Sequence, residues 1–113
     1  MLFRSVAAGL DVVKPDELRE AEALASAVRA HPVARRYLDL GDAQVPLQWT
    51  DPETGLLCKG LADLVGPTFL IDGKSARTID KRRYASQAGS LRYHCQLAHY
   101  RAGCRIALNI DPE

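Results

Sequence analysis

An aspartate and a lysine, Asp72 and Lys74, stand two residues apart at the end of the apolar segment FLIDGK. Because side chains alternate along a strand, we expect both on the same side of it, about 6.5–7 Å apart. Charged groups are costly when they are buried without partners. Two explanations are open: a structural ion pair or exposed strand end, or a site where Asp72 binds a hard divalent cation and Lys74 steadies a hydroxide or phosphate.

A second acid, Asp63, precedes Asp72 by nine residues, and Gly66 and Pro67 mark a turn between them. In an antiparallel pair of strands that turns there, the two acids lie near each other across the ladder. Two close carboxylates repel each other unless a cation lies between them. We therefore expect both to face one cation, although Asp63 alone is also consistent with an ordinary polar strand residue.

A helix predicted over residues 90–103, SLRYHCQLAHYRAG, carries Gln96 and Tyr100, an i, i+4 pair that is adjacent on its surface. An amide and a hydroxyl can hold a phosphate or a metal-bound water without adding charge, and an ordinary exposed polar face is the alternative. Tyr93 lies on the same side. The predicted core stripe lies roughly opposite and consists of Leu91, Cys95, Ala98 and Ala102.

Two helices are predicted in the first third of the chain. The first, KPDELREAEALASAVRAH, spans residues 14–31, with Pro15 at the first helical position and acids in the first turn. Its apolar residues recur at helical spacing. The second, PVARRYLDL, spans residues 32–40 and ends at Gly41.

A three-strand meander is predicted next, over residues 43–50, 56–65 and 68–74. Pro46 favours an edge or a bulge for the first strand, DPETG is a hairpin turn, and the third strand is apolar enough to be central. A basic connection, part loop and part helix, leads to the helix over 90–103, and residues 104–110 predict a fourth strand. This order predicts an α/β (α+β) fold.

The length of 113 residues fits one small domain, which we expect to span residues 1–113. No apolar run approaches the roughly 18 residues of a membrane span, so no membrane association is expected. Cys58, Cys95 and Cys104 form no CxxC pair. Their number and spacing argue against a disulfide framework or a zinc site and favour the cytoplasm.

The basic residues are concentrated in one part of the chain. Between Lys74 and Arg105 the sequence has eight basic residues and a single acid, Asp80. A basic segment favours a polyanionic partner such as nucleic acid. A solvated face that binds nothing is the alternative.

The order D…DxK…QxxxY resembles the PD-(D/E)xK nuclease superfamily, in its branch with the QxxxY helix. The text HPVARRYL…DPETGLLCKGLADLV…FLIDGKSART…YHCQLAHYRAG looks like the RecE-type (exodeoxyribonuclease VIII-like) exonucleases of phages and prophages. The resemblance covers residues from about 25 to 103. It implies a restriction-endonuclease-like core, with a central mixed sheet that includes the antiparallel meander and is flanked by helices.

The resemblance also implies roles for individual residues. Asp63 and Asp72 would hold Mg²⁺, with Mn²⁺ as a substitute, and Lys74 would place or deprotonate a water. Gln96 and Tyr100 would complete the catalytic set, with Tyr93 as a possible additional member. The residues expected to hold the DNA backbone without reading bases are Arg77, Lys81, Arg82, Arg83 and Arg92.

The implied activity is processive degradation of linear double-stranded DNA from 5′ ends. The products would be 3′ single strands for a single-strand-annealing recombinase, in the cytoplasm of a bacterial or phage-infected cell. Members of the family can assemble as homo-oligomeric rings around DNA. The alternatives are a catalytically weak or inactive DNA-end-binding or structural module of the same fold, or a Cas4-like nuclease.

Two features depart from the family. Gln44 stands where the family usually carries a further glutamate, and it offers a carbonyl oxygen but no charge; nearby Asp42 is expected in a loop. The family continues past the QxxxY helix, so we expect this chain to be truncated at its C-terminal end.

His31 is a further candidate metal ligand, because some relatives in the wider superfamily use an upstream histidine. Local capping of a helix is the alternative.

Overall fold

The computed structural model describes residues 3–5, 10–76 and 78–113. The part of the chain up to Tyr37 forms one compact unit and the part from Leu38 forms another. The elements within the described residues are β1 (Phe3–Ser5), β2 (Leu10–Val12), α1 (Pro15–Ala30), α2 (Pro32–Leu40), β3 (Asp42–Thr50), β4 (Leu57–Val65), β5 (Leu70–Ile71), α3 (Lys81–Ser90) and α4 (Tyr93–Ala107).

The N-terminal unit contains a short hairpin and the predicted first helix. β1 and β2 pair in antiparallel fashion, a hairpin that the sequence patterns did not predict. α1 begins at the expected proline, and the Lys14 backbone N–H donates to the Glu17 carboxylate at 3.1 Å. This contact satisfies a backbone donor at the helix start. Both predicted N-terminal helices, α1 and α2, are therefore confirmed.

The C-terminal unit is built on an antiparallel sheet with the order β3-β4-β5. The Gly55 N–H donates to the Asp51 carbonyl and the Asp51 N–H donates to the Leu56 carbonyl, both at 2.8 Å. Gly55 has a φ of 71°, a conformation that costs glycine little. The predicted hairpin is therefore confirmed, and Pro46 lies on an edge strand as expected. Asp42, expected in a loop, instead begins β3.

The prediction of a central third strand over residues 68–74 is wrong. β5 contains only Leu70 and Ile71, and it lies at the edge of the sheet within the described residues, while β4 is central. Beyond Ile71 the backbone leaves the ladder, because the Gly73 N–H donates to the Asp63 carboxylate at 2.8 Å instead of to a strand. A side chain has taken the place of a ladder partner.

The predicted fourth strand over residues 104–110 is also wrong, because α4 continues to Ala107. The Leu108 and Ile110 N–H groups both donate to the Cys104 carbonyl at 3.1 Å, and Asn109 has a φ of 54°. These bonds end the helix. The fold is α+β as predicted, but its sheet is antiparallel and three-stranded within the described residues, not mixed.

The predicted core stripe of α4 is wrong as well. Leu91 precedes α4 and is 57% exposed, and Cys95 is exposed, whereas Gly103 and Cys104 are buried against the sheet. The face of α4 that meets the sheet is therefore the one that carries Gln96 and Tyr100, both half-buried. The core between α4 and the sheet consists of Leu47, Trp49, Ala62 and Val65 from the sheet and Cys104 from the helix.

Two glycines allow α4 to approach the sheet closely. A Cβ at Gly60 of β4 would lie 2.6 Å from Tyr100 Cε1, and a Cβ at Gly103 of α4 would lie 2.6 Å from Trp49 Cζ3. Either atom would force an aromatic ring out of its packed position.

No helix among the described residues has the length and apolarity needed to cross a lipid bilayer.

Adding a methyl group at Gly103 should destabilise the protein by about 1–3 kcal/mol, because the Trp49 ring or the helix must move. Urea unfolding measures the change. The matched control is Gly89→Ala in α3, where an added Cβ meets nothing within 4 Å. That control should be neutral or stabilising by up to about 1 kcal/mol, since alanine favours helix. Equal destabilisation by both would contradict the close packing.

Candidate active site

The carboxylate of Asp63 joins β4 to the segment that follows β5. Its Oδ2 accepts the Gly73 N–H at 2.8 Å, and its Oδ1 lies 3.5 Å from Gln44 Nε2. Gln44 of β3 and Asp63 of β4 lie opposite each other, between the cross-strand pairs Ala43–Leu64 and Val45–Ala62. Gln44 has a φ of 55°, a left-handed conformation that costs a residue other than glycine some strain. A strained residue therefore lies against the first acid.

The second acid, Asp72, forms an ion pair with Lys74. Lys74 Nζ lies 2.6 Å from Asp72 Oδ2, and the two side chains are 24% and 7% exposed, respectively. The two residues lie beyond the end of β5, so strand alternation does not account for this contact. It is the ion pair that the sequence left open as one of two explanations. A nearly buried carboxylate requires a close partner, and here the ammonium supplies it.

Gln96 of α4 binds both members of this pair. Its Oε1 accepts from Lys74 Nζ at 2.9 Å, and its Nε2 lies 3.4 Å from Asp72 Oδ1. The same nitrogen donates to the Tyr100 hydroxyl at 3.2 Å. A neutral amide suits this position because it offers an acceptor to the ammonium and a donor to the carboxylate. α4 is thereby connected to the end of β5 through polar contacts.

Tyr93, at the first position of α4, provides an aromatic surface for the lysine. Lys74 Nζ lies 4.9 Å from the centre of the Tyr93 ring. An ammonium at this distance over a ring face is attracted by the ring quadrupole. Lys74 is thus held by a carboxylate, an amide oxygen and an aromatic ring.

These contacts favour the charged form of the lysine. The hydrogen bond to Asp72 raises the pKa of Lys74 above its ordinary value, and partial desolvation opposes this. The charge of Asp72, followed by Tyr93 and Asp63, adds to the increase. Asp63 lies next to this pair, because its Oδ2 accepts the N–H of Gly73, the residue between Asp72 and Lys74.

The structure brings together Asp63, Asp72, Lys74, Gln96 and Tyr100, with Gln44 and Tyr93 in contact with members of this set. His31 belongs to the N-terminal unit, where its ring Nδ1 accepts the Ala34 N–H at 3.3 Å. This contact fits the local capping alternative. A role for His31 as a metal ligand stays a prediction.

The residues predicted to hold DNA lie mainly on α3 and at its junction with α4. Lys81, Arg82 and Arg83 are exposed in the first turn of α3. Arg92 is exposed immediately before α4 and has a φ of 55°. Arg77 lies outside the described residues. Asp80 caps α3 by accepting the Arg83 N–H at 2.9 Å, which explains why the single acid of this segment is there.

Sequence reasoning missed Gly60 and Gly73, both of which shape the site. Gly60 leaves room for the Tyr100 ring, and Gly73 donates its N–H to Asp63. A glycine inside a strand signals a close approach, so Gly60 in LLCKGLADLV was a usable signal. Gly73 carried no such signal, because its role depends on where β5 ends.

The donor set suits a hard divalent ion. Magnesium is usually bound by one or two carboxylates together with water and substrate oxygens. Asp72 pairs with the Lys74 ammonium, and Asp63 accepts the N–H of Gly73 between those two residues, so two carboxylates flank one short segment. Among residues 3–5, 10–76 and 78–113, no group of three or more His, Cys, Asp or Glu side chains is arranged to hold a metal. Any ion would therefore depend on those two acids and on neutral oxygens.

A model of the family described as a PDDEXK-like domain of unknown function (DUF3799) matches residues 7–111. The match covers nearly the whole chain and includes every residue of the site described above. A search of curated proteins found no significant match.

The raised pKa of Lys74 predicts how stability changes at alkaline pH. A group whose folded pKa is raised contributes stability that is complete below its unfolded pKa and is lost as the pH rises through its folded pKa. The free energy of unfolding of the wild type, relative to Lys74→Met, should therefore be constant up to about pH 9 and decrease above 10.5. Chemical denaturation at each pH measures it. A difference that stays flat to about pH 12 would contradict the ion pair.

Proposed function

This chain belongs to the DUF3799 family of PDDEXK-like domains, and from that premise we propose that it is a metal-dependent deoxyribonuclease. The observation that carries the proposal is the contact of Asp72 and Lys74 with Gln96 of α4, beside the carboxylate of Asp63. Two acids, an ammonium and a neutral amide at one place can serve the hydrolysis of a phosphodiester.

Asp63 and Asp72 would hold Mg²⁺, or Mn²⁺ in its place. The bound ion supplies positive charge that polarises a phosphodiester and lowers the pKa of a water. Lys74 brings a second positive charge to the phosphate oxygens, where negative charge develops. Gln96 fixes the position of the Lys74 ammonium, and the Tyr100 hydroxyl, bonded to the same amide, helps to orient the attacked group.

The substrate that we propose is linear double-stranded DNA, degraded from its 5′ ends. The order of the acids, the lysine and the QxxxY residues along the chain supports a RecE-type exonuclease. The 3′ single strand left behind would pass to a single-strand-annealing recombinase in the cytoplasm, and a ring of several copies would enclose the duplex. The exposed cations of α3 favour contact with phosphates without reading of bases.

Gln44 gives specific support to a second candidate function, a DNA-end-binding module with little or no turnover. Its amide nitrogen, not a carboxylate, faces Asp63 at 3.5 Å. A site with one fewer negative charge holds a second metal ion more weakly. Binding of DNA that is unaffected by EDTA, without cleavage, would favour this candidate. Cleavage of circular DNA would instead favour an endonuclease, and trimming of DNA ends without processive degradation a Cas4-like nuclease.

Asp72→Asn should reduce cleavage of an end-labelled linear duplex in Mg²⁺ by about a hundredfold or more, because a neutral amide replaces a carboxylate ligand. Gel analysis of the products measures the rate and the polarity. The matched control is Glu53→Gln, which removes an exposed carboxylate from the hairpin turn and should cleave at the wild-type rate. Cleavage by Asp72→Asn at the wild-type rate would show that the metal role of Asp72 is wrong.

Phosphate contacts by α3 predict a strong dependence of DNA affinity on salt. Arg82→Gln and Arg83→Gln should each weaken binding and reduce the slope of log affinity against log salt by about one. Fluorescence anisotropy with a labelled duplex, in the absence of divalent ions, measures the slope. Arg29→Gln in α1 is the matched control and should leave the slope unchanged. The DNA-binding role of α3 fails if its variants behave like this control.

A further inference from the structure

The Asp72 carboxylate has both of its oxygens engaged by the protein itself. Oδ2 lies 2.6 Å from Lys74 Nζ, and Oδ1 lies 3.4 Å from Gln96 Nε2. The side chain is only 7% exposed, so little water can replace either contact. One of the two oxygens with which Asp72 could bind a divalent ion is therefore already paired with a cation of the protein.

Lys74 is held at that oxygen by more than the ion pair. Gln96 Oε1 accepts from its ammonium at 2.9 Å, and the Tyr93 ring lies 4.9 Å from its nitrogen. Both contacts stabilise the one position in which the ammonium reaches Asp72. Neither residue adds a net charge to the site, so their effect on the lysine is one of position.

The Lys74 ammonium, 2.6 Å from Asp72 Oδ2, opposes a divalent cation at the same carboxylate. Both draw on the lone pairs of one carboxylate, and like charges a few ångströms apart repel each other. Movement of Lys74 away from Asp72 would remove this repulsion.

We propose that Lys74 is an internal competitor for the cation position at Asp72, held there by Gln96 and Tyr93, and that a divalent ion binds only as this ammonium leaves. The inference rests on the proposed function, since it concerns the same metal site. The displaced ammonium is then available to a phosphate oxygen. The lysine thus becomes free for the substrate only in molecules that have taken up the ion.

Calorimetric titration with Mn²⁺ tests the competition in four proteins: the wild type, Lys74→Met, Tyr93→Leu and Tyr93→Phe. Lys74→Met should bind Mn²⁺ about tenfold more tightly than the wild type, because no ammonium has to be displaced. Tyr93→Leu, which removes the ring but keeps an apolar side chain, should bind about two- to fivefold more tightly. Tyr93→Phe keeps the ring face and should match the wild type.

The tyrosine pair separates displacement from simple charge repulsion. Loss of the lysine charge alone would raise Mn²⁺ affinity in Lys74→Met, but it would leave Tyr93→Leu equal to Tyr93→Phe, and this result would overturn the proposal. Equal or weaker binding by Lys74→Met would also overturn it. Both failures would leave the metal site, and the proposed function, standing. Absence of Mn²⁺ binding in all four proteins would remove both.

Amine acylation of the unmodified protein gives a readout that needs no substitution. Mass spectrometry follows the acylation rate of each lysine with and without Mg²⁺, and Lys14, Lys59 and Lys81 serve as internal references. Release from Asp72 should raise the rate at Lys74 relative to those three. An unchanged relative rate at a Mg²⁺ concentration that saturates the site would overturn the proposal.

Discussion

The site depends on one constraint: a nearly buried carboxylate, Asp72, must have a cationic partner. Lys74 meets that need locally, and Gln96 of α4 binds both of them. This polar contact connects the end of a two-residue edge strand to the helix that covers the sheet. A strand as short as β5 makes few ladder bonds of its own, so side-chain contacts from Asp63 and Gln96 define the path of the chain after Ile71.

The helix can lie this close to the sheet because a glycine replaces a larger residue on each side of the contact. Gly60 makes room for the Tyr100 ring, and Gly103 lets α4 lie against Trp49. Tyr100 then places its hydroxyl beside Gln96 while its ring packs on the core. Apolar packing and polar chemistry therefore share one helix face. Gln44, beside Asp63, has a left-handed backbone conformation that a residue other than glycine adopts at some cost. Strained residues of this kind are often found at functional sites.

The elements that the sequence predicted well are those defined by local signals. Pro15 and the acids of α1, Gly41 after α2, and the DPETG turn each act within a few residues. The elements that it predicted badly depend on contacts distant in the chain. Gly103 resembled a helix stop, but its missing side chain serves the packing of Trp49 instead. The stripe of α4 was assigned to the wrong face because apolar spacing alone could not reveal that Gln96 and Tyr100 face the sheet. The order of the candidate site residues was readable from the sequence, whereas the contact of Tyr93 with Lys74 was not.

The charge of the site links its structure to its proposed chemistry. Two carboxylates and one ammonium leave one net negative charge, and the neighbouring amides of Gln44 and Gln96 add none. Such a site would attract a divalent cation, and after taking one up it would carry a net positive charge. A positive site favours the approach of a DNA phosphate. A glutamate in place of Gln44 would make the loaded site neutral. Under the proposed function, the glutamine that would weaken a second metal position would therefore also strengthen the attraction of the loaded site for a DNA phosphate. The same neutrality at Gln96 allows one side chain to bind the acid and the amine together, which a charged residue could not do without repelling one of them.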